Sequence, residues 1–426
     1  MSDTQTSLSA VPLIQHARLL LSDARTAFKD LPNWEKPIHV FWLLGPFILL
    51  IERTPADFWL SLLSVIFVVR ALWQRDASWL RHLWVRAAFT FWAVCLLSAG
   101  LSMAPSYALG EAFSWFRFPL FAMATVFWLG KDKRLIYLML LSTGVGMMTM
   151  TTILFAEVFF EGFKDGRLVW PYGDAVPGNY LAKVTMPALL VCTTLAARGK
   201  FSIAFIAATV LGISLAASML SGERMNLILR IFSGGLAFTI TLRRAQNLVL
   251  MFFVFAFSVI LVLLLSPDFY RLLTQFFERL PTSSTSDYFR VSYGAWIVFT
   301  DNAIFGIGTG NYRDLCSQFT EGVINFRCDN HPHNYYVQLL AETGILGFVT
   351  GVFMICTIIW MLFRAGRTNR QNIVAVTAFI VPLGLFFPIQ STADFFGQWN
   401  NIFMWSAVAL SMASVNFLPT QNQTQK

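Results

Sequence analysis

Charge is what this chain has least of. Only 13% of its 426 residues are Asp, Glu, Lys or Arg, while 56% are hydrophobic; a soluble globular chain carries about 25% and about 45–50% respectively. That imbalance excludes a water-soluble globule. Histidine is scarcer still, with five in the whole chain. There is no Asp-x-Asp, no His-Glu-x-x-His and no Cys-x-x-Cys, so the familiar ligand spacings for a dedicated metal are missing and neither a metal nor another cofactor is expected. No internal repeat and no linker divides the chain into soluble domains. The one glycine-rich stretch, "GIGTG" at Gly306–Gly310, lacks the Lys-Ser/Thr of a phosphate loop and reads as a tight turn between loop helices. No cleavable signal peptide is evident, because a polar stretch of over thirty residues precedes the first apolar run.

What the chain does have is apolar runs of a length suited to crossing a hydrocarbon core about 30 Å thick, which in lipid must be helical so that the backbone bonds to itself. The pattern predicts an all-α polytopic membrane protein with about twelve spans. Eight come first: Ile38–Ile51, Phe58–Leu72, Ala87–Ala104, Trp115–Leu129, Leu135–Ala156, Tyr180–Ala196, Phe201–Leu220 and Met225–Leu242. Leu248–Leu265, Gly344–Phe363, Ile373–Ile389 and Ile402–Phe417 follow. The first is short and carries Pro46. Ahead of it, residues 1–37 form a cytoplasmic N-terminal segment whose "LIQHARLLLSDARTAFKDL" is apolar on a helical period and suits a helix lying on the inner leaflet.

Basic residues fix the orientation. Arg70, Arg75, Arg81 and Arg86 fall in one loop, Lys131, Lys133 and Arg134 in the next of the same set, followed by Arg198 and Lys200, Arg243 and Arg244, and Arg364, Arg367 and Arg370. The opposite loops include two long segments, Glu157–Asn179 and 266–333, with sparser, mixed charge. Both termini are therefore expected in the cytoplasm, and the net charge of +8 is a topology signal rather than a nucleic-acid surface. The larger loop is too long for a bare connection and should contain helices, "PDFYRLLTQFFERL" and "SDYFRVSYGAWIVFTDN". Cys316 and Cys328 lie in it and are free to pair in an oxidising compartment, though sequence leaves the pairing open.

Arginines near the outer helix ends carry more information than the rest of the charge. Arg117 opens a span, Arg224 in "SGERMN" opens another, Arg230 sits deeper in it, and Arg290 lies in the large loop. Each either snorkels to the headgroups or serves an anion. Guanidinium forks match phosphate oxygens two at a time and a helix N-terminus adds a positive field, so Arg224 suits a lipid-linked phosphate or diphosphate. Glu223 beside it sets a negative charge against that account. In "HPHNYYVQLLAETGILG", His331 and His333 stand just before a helix whose Gly344 and Gly347 suggest a smooth packing face. A histidine there is either an ordinary interfacial residue or, with its cation disfavoured by the helix dipole, a neutral base.

The stretch from His333 through Asn334 to Gly344 and Gly347 resembles the His-[Asn/Ser/Gln]-x9-Gly-x-x-Gly pattern of bacterial O-antigen ligases, relatives of O-antigen polymerases and protein O-oligosaccharyltransferases. His331, followed by Pro332, does not fit the pattern. The resemblance implies a GT-C-like fold of about twelve spans in one integral membrane domain over 1–426, with a large periplasmic loop, 266–333, inserted before the motif helix. It implies transfer of polysaccharide from undecaprenyl pyrophosphate to a sugar hydroxyl of the lipid A core, on the periplasmic side of the inner membrane. The transfer would be metal-independent and inverting, with His333 as the base and Arg224 and Arg290 on the pyrophosphate. Arg117, Lys183, Asp394 and Asn334 are second-rank candidates; Asp394 either orients His333 or an arginine, or caps a helix in solvent. The competing expectations are a polymerase or protein O-oligosaccharyltransferase of the same fold and, from another class, a transporter of an anionic solute.

Overall fold

The structure is a computed structural model that describes residues 13–174, 176–266, 274, 286–320, 324, 326–389 and 393–415. Helix dominates, and among the described residues there is no strand beyond one isolated bridge between Lys164 and Arg167. Seven helical stretches are long and apolar enough to cross a membrane: Arg53–Trp73 (α4), Leu83–Gly100 (α5), Pro105–Leu129, Lys133–Phe160 (α8), Phe201–Leu220 (α11), Ala245–Leu265 (α13) and Tyr335–Thr368 (α16). Pro105–Leu129 is built from α6 (Pro105–Trp115), α7 (Arg117–Ala124) and a π turn over Thr125–Leu129. An eighth span is broken: α9 (Pro177–Asn179) and a π turn over Tyr180–Val184 meet α10 (Met186–Arg198) at a bend of 60°. The chain is a multi-pass membrane protein.

The other four of the twelve expected spans are shorter or less apolar in the structure than these. The first is split by Gly45 and Pro46 into α2 (Lys36–Leu43) and α3 (Gly45–Ile48). The region 373–389 is a series of turns ending in the short α17 (Ile380–Leu385). α12 (Arg224–Thr241) runs 18 residues but includes Arg224, Asn226 and Arg230. α18 (Gln398–Ala413) has 16 residues and is buried on almost every side. Hydropathy alone does not separate a short helix buried in the bundle from a short span, because both are apolar all round.

At the N-terminus the amphipathic helix forms as expected, α1 (Leu13–Asp30), resting on α8 with Ala24 and Ala27 buried. In the large loop, "SDYFRVSYGAWIVFTDN" folds as α14 (Asp287–Asp301), capped by the Ser286 side chain, and α15 (Tyr312–Phe319) follows. The other expected loop helix, "PDFYRLLTQFFERL", lies outside the described residues except Thr274.

α14, α15 and the start of α16 enclose a small core of their own, made of Ala295, Val298, Ile307, Tyr312, Leu315, Cys316 and Ala341. Cys316 and Cys328 are joined by a disulfide across its edge. A core this small relies on its cross-link. Cys316→Ser is expected to cost about 3 kcal/mol, the loss typical of a loop of this size, seen as a lower midpoint of denaturation for the purified protein in detergent.

The glycines of the motif do not form the smooth helix-packing face that their spacing suggests. α16 is broken at Gly344, whose φ of 64° and ψ of −169° suit glycine alone. The chain from Ala303 to Gly308 docks into that break: Ile345 N–H donates to the Ala303 carbonyl at 2.8 Å, Gly308 N–H to the Glu342 carbonyl at 2.8 Å, and Ile307 N–H to that of Ala341 at 3.1 Å. Gly306, Gly308 and Gly310, all at positive φ, make the tight turn expected between α14 and α15.

Candidate active site

His333 occupies a backbone conformation that few side chains adopt, φ 57°. The left-handed residue turns the chain into α16, where Asn334 caps the helix by accepting from Tyr336 N–H at 3.0 Å and Val337 N–H at 3.3 Å. Asn334 also donates to the Pro388 carbonyl at 2.9 Å, which ties the helix start to the segment after α17. The imidazole is about one-third exposed, with Nε2 at 3.5 Å from Oδ2 of Asp329. The His331 ring lies 4.3 Å away and the Tyr288 ring meets it edge-on at 5.9 Å.

Two arginines stand behind the carboxylate that meets this ring. Arg327 pairs with Asp329 at 3.3 Å and with Asp287 at 3.5 Å. Arg290, on α14, accepts the Arg327 N–H on its own carbonyl and donates Nη2 to the Phe326 carbonyl at 3.3 Å. Its Nε is buried and has no hydrogen-bond partner among the described residues. Burial works to raise the Asp329 pKa, but the Asn330 N–H, His333 and Arg327 outweigh it and hold the carboxyl below its usual range. Asp329 is therefore an anion at neutral pH, fixed against Nε2. An imidazole with one nitrogen held by a carboxylate has the other open to a substrate proton.

A second polar cluster lies at the start of α12. Glu223 precedes Arg224 and accepts from Gly178 N–H at 2.9 Å, from the Asn179 amide at 2.9 Å and from the Asn226 amide. It thereby fastens the broken span to α12, a role its negative charge alone did not reveal. Burial pushes its pKa up to about 8 despite the Gly178 N–H and the Lys183 charge. The native state thus holds this proton over a range in which the unfolded chain releases it, so the contribution of Glu223 to stability falls as pH rises from 4.5 toward about 8. The thermal midpoint of the protein is expected to drop relative to that of Glu223→Gln across this interval, measured in one detergent from acid to mildly alkaline buffer.

Lys183, whose charge acts on Glu223, begins a buried hydrogen-bonded chain that runs to the His333 helix. Lys183, in the π turn, donates to Asn400 of α18, and Asn400 donates to the Tyr335 hydroxyl at 2.7 Å. Tyr335 is the first residue of α16, two positions after His333. On the next turn Gln338 donates to Asp394 at 2.6 Å and accepts from Phe395 N–H at 2.8 Å. Asp394 also pairs with Arg313 at 3.1 Å, so it orients an arginine rather than His333. Buried Glu342 gathers Gly310 N–H at 2.9 Å, Tyr312 N–H at 3.3 Å and the Gln338 amide at 3.3 Å. Arg117 stands apart from both clusters, with Nε on Asp57 at 3.1 Å and Nη1 on the Ser114 carbonyl at 2.7 Å.

The structure thus gathers His333, His331, Tyr288, Asp329 and Arg327 around one ring, with Arg290 behind them. Arg224 opens α12 directly after Glu223, whose charge interacts with Lys183, the residue joined through Asn400 to Tyr335 of α16. Asp329, Arg327, Gln338, Glu342 and Asn400 are additions to the residues singled out by sequence. Gln338 and Glu342 lie in the quoted motif, one and two helical turns after Asn334, and that spacing was the available signal.

Residues 207–352 match the family model described as O-antigen ligase. The match covers about a third of the chain. It takes in α12, α14, α15 and the motif half of α16, and so holds Arg224, Arg290, Asp329, His333 and both motif glycines. Lys183, Arg117, Asp394 and Asn400 lie outside the matched stretch, and of these Asp394 and Asn400 bond directly to it through Gln338 and Tyr335. The chain is also similar to the teichuronic acid biosynthesis protein TuaE of Bacillus subtilis (strain 168), 27% identical over 155 residues. That similarity covers 35% of this chain and 30% of the relative, well short of the relative's whole length.

Proposed function

We propose that the protein is an O-antigen ligase that moves a polysaccharide from undecaprenyl pyrophosphate to a sugar hydroxyl of the lipid A core. The reading rests above all on His333, held by Asp329 in a cluster of arginines inside the matched domain. The acceptor hydroxyl gives its proton to the free imidazole nitrogen while its oxygen attacks the anomeric carbon. The bond from that carbon to the pyrophosphate oxygen breaks as the new glycosidic bond forms, with inversion. Arg290 and Arg224 meet the charge that grows on the leaving pyrophosphate, which is already a good leaving group and needs cations rather than covalent help. Both substrates are membrane amphiphiles, so positioning in one plane supplies a further part of the rate.

The domain would face the periplasm from the inner membrane. Basic residues crowd the opposite loops, and the Cys316–Cys328 disulfide suits an oxidising compartment. A polymerase using the same donor differs only in its acceptor, and the similarity to a biosynthesis protein of another polysaccharide keeps that reading in play. Deleting the gene in a strain that makes O-antigen separates the two. Long glycans left unattached beside an intact core support ligation; a core bearing a single repeat supports polymerisation.

A further inference from the structure

α12 and α13 are joined by only three residues, yet they hardly touch one another. Each packs instead on α10 and α11, which leaves a groove of about 340 Å³ between them. Leu189, Leu211 and Leu215 form its floor, with Phe238 on one wall and Met251 and Phe255 on the other. Its outer rim, including Leu248 and Phe252, is exposed where a bilayer would lie. A single charged residue lines it, Arg230.

Arg230 is only 2% exposed. Its Nη2 donates to the Ser214 hydroxyl at 2.8 Å, while Nε and Nη1 are buried and have no hydrogen-bond partner among the described residues. A guanidinium left this way in an apolar groove is costly unless an anion joins it. Water answers the need poorly, because the walls offer it almost nothing else to bond. Arg230 lies six residues beyond Arg224, about 9 Å along the helix and on another of its faces. None of the residues around His333 lines the groove.

We propose that this groove is a binding site for one anionic membrane lipid, its acidic head paired with Arg230 and an alkyl chain laid between α12 and α13. Lipid is the medium that this face meets, the groove is apolar along its length, and its one cation has hydrogen-bonding capacity left. The occupant wedges the two helices apart and so sets the angle at which α12 presents Arg224. The assignment is independent of the reaction proposed above and is tested without it.

The test follows the thermal midpoint of the purified full chain in neutral detergent as lipid is added. Phosphatidylglycerol should raise the midpoint by on the order of 2–4 °C, and phosphatidylcholine with the same chains should not. Inorganic phosphate at the same concentration should have no effect. Arg230→Met, which keeps the side chain's length without its charge, should fold and lose the response, whereas Arg230→Lys should keep part of it. A Cβ at Gly235 meets no atom within 4 Å, so Gly235→Leu should also fold and occupy the groove, again abolishing the response. An equal response in Arg230→Met, an equal response to phosphatidylcholine, or a response to phosphate alone would each overturn the proposal.

Discussion

Replacing His333 with alanine is expected to reduce glycan transfer about 100- to 10,000-fold, the range lost with a general base, while the purified protein unfolds near its normal temperature. The ring is one-third exposed and lies outside the helix it introduces, so its loss opens no cavity in the bundle. Alanine meets only the backbone strain at φ 57°, a matter of about 1–3 kcal/mol that histidine also bears. Asn334 still caps α16 through its own side chain. His331→Ala serves as the comparison: its ring touches that of His333 but Asp329 is held by the latter. The assignment of the base fails if His333→Ala keeps transfer and His331→Ala loses it. Asp329→Asn should also reduce transfer, because an amide no longer fixes the imidazole tautomer that leaves the second nitrogen open to a proton.

Gly344→Ala is expected to be the most disruptive small substitution in the motif. A Cβ there would stand 2.3 Å from the Ile304 carbonyl oxygen and 2.6 Å from the Phe305 nitrogen, both backbone atoms that cannot rotate away. The residue's φ of 64° adds strain for any L side chain. Together these effects amount to about 2–6 kcal/mol, enough to displace the Ala303–Gly308 segment from the break in α16. Denaturation of the purified variant should show the loss, and transfer should fall with it because α14 carries Arg290 and Tyr288. Gly110→Ala, where a Cβ meets nothing within 4 Å, should leave both unchanged. A Gly344→Ala protein as stable as wild type would show that the docked turn does not depend on this glycine.

Much of this molecule is legible in its sequence because lipid imposes simple rules. Long apolar runs such as Ala245–Leu265 must be helices, and they are. The start of α16 is equally plain, since an Asn before an apolar run is a capping signal. The spacing of Gly344 and Gly347 misled, because a glycine for close helix packing and a glycine for a positive φ look the same until the backbone is known. α18 begins four residues before the apolar run at Ile402, because Asn400 and Asn401 find hydrogen-bond partners in the fold that the sequence does not reveal. The partners of His333 were out of reach for sequence. Asp329 is close in the chain, but the meeting of Tyr288 and His333 depends on how α14 folds back over α16.

Cys328 is the immediate chain neighbour of Asp329, so the covalent bond to Cys316 anchors the carboxylate that meets the His333 imidazole. On the proposed topology, a freshly synthesised copy whose loop has yet to emerge from the cytosol still carries two thiols there. Its helices can settle in the bilayer before the site is assembled. Maturation of the protein would then wait on export, and the proposed glycan transfer would begin only where finished donor and acceptor lipids are found.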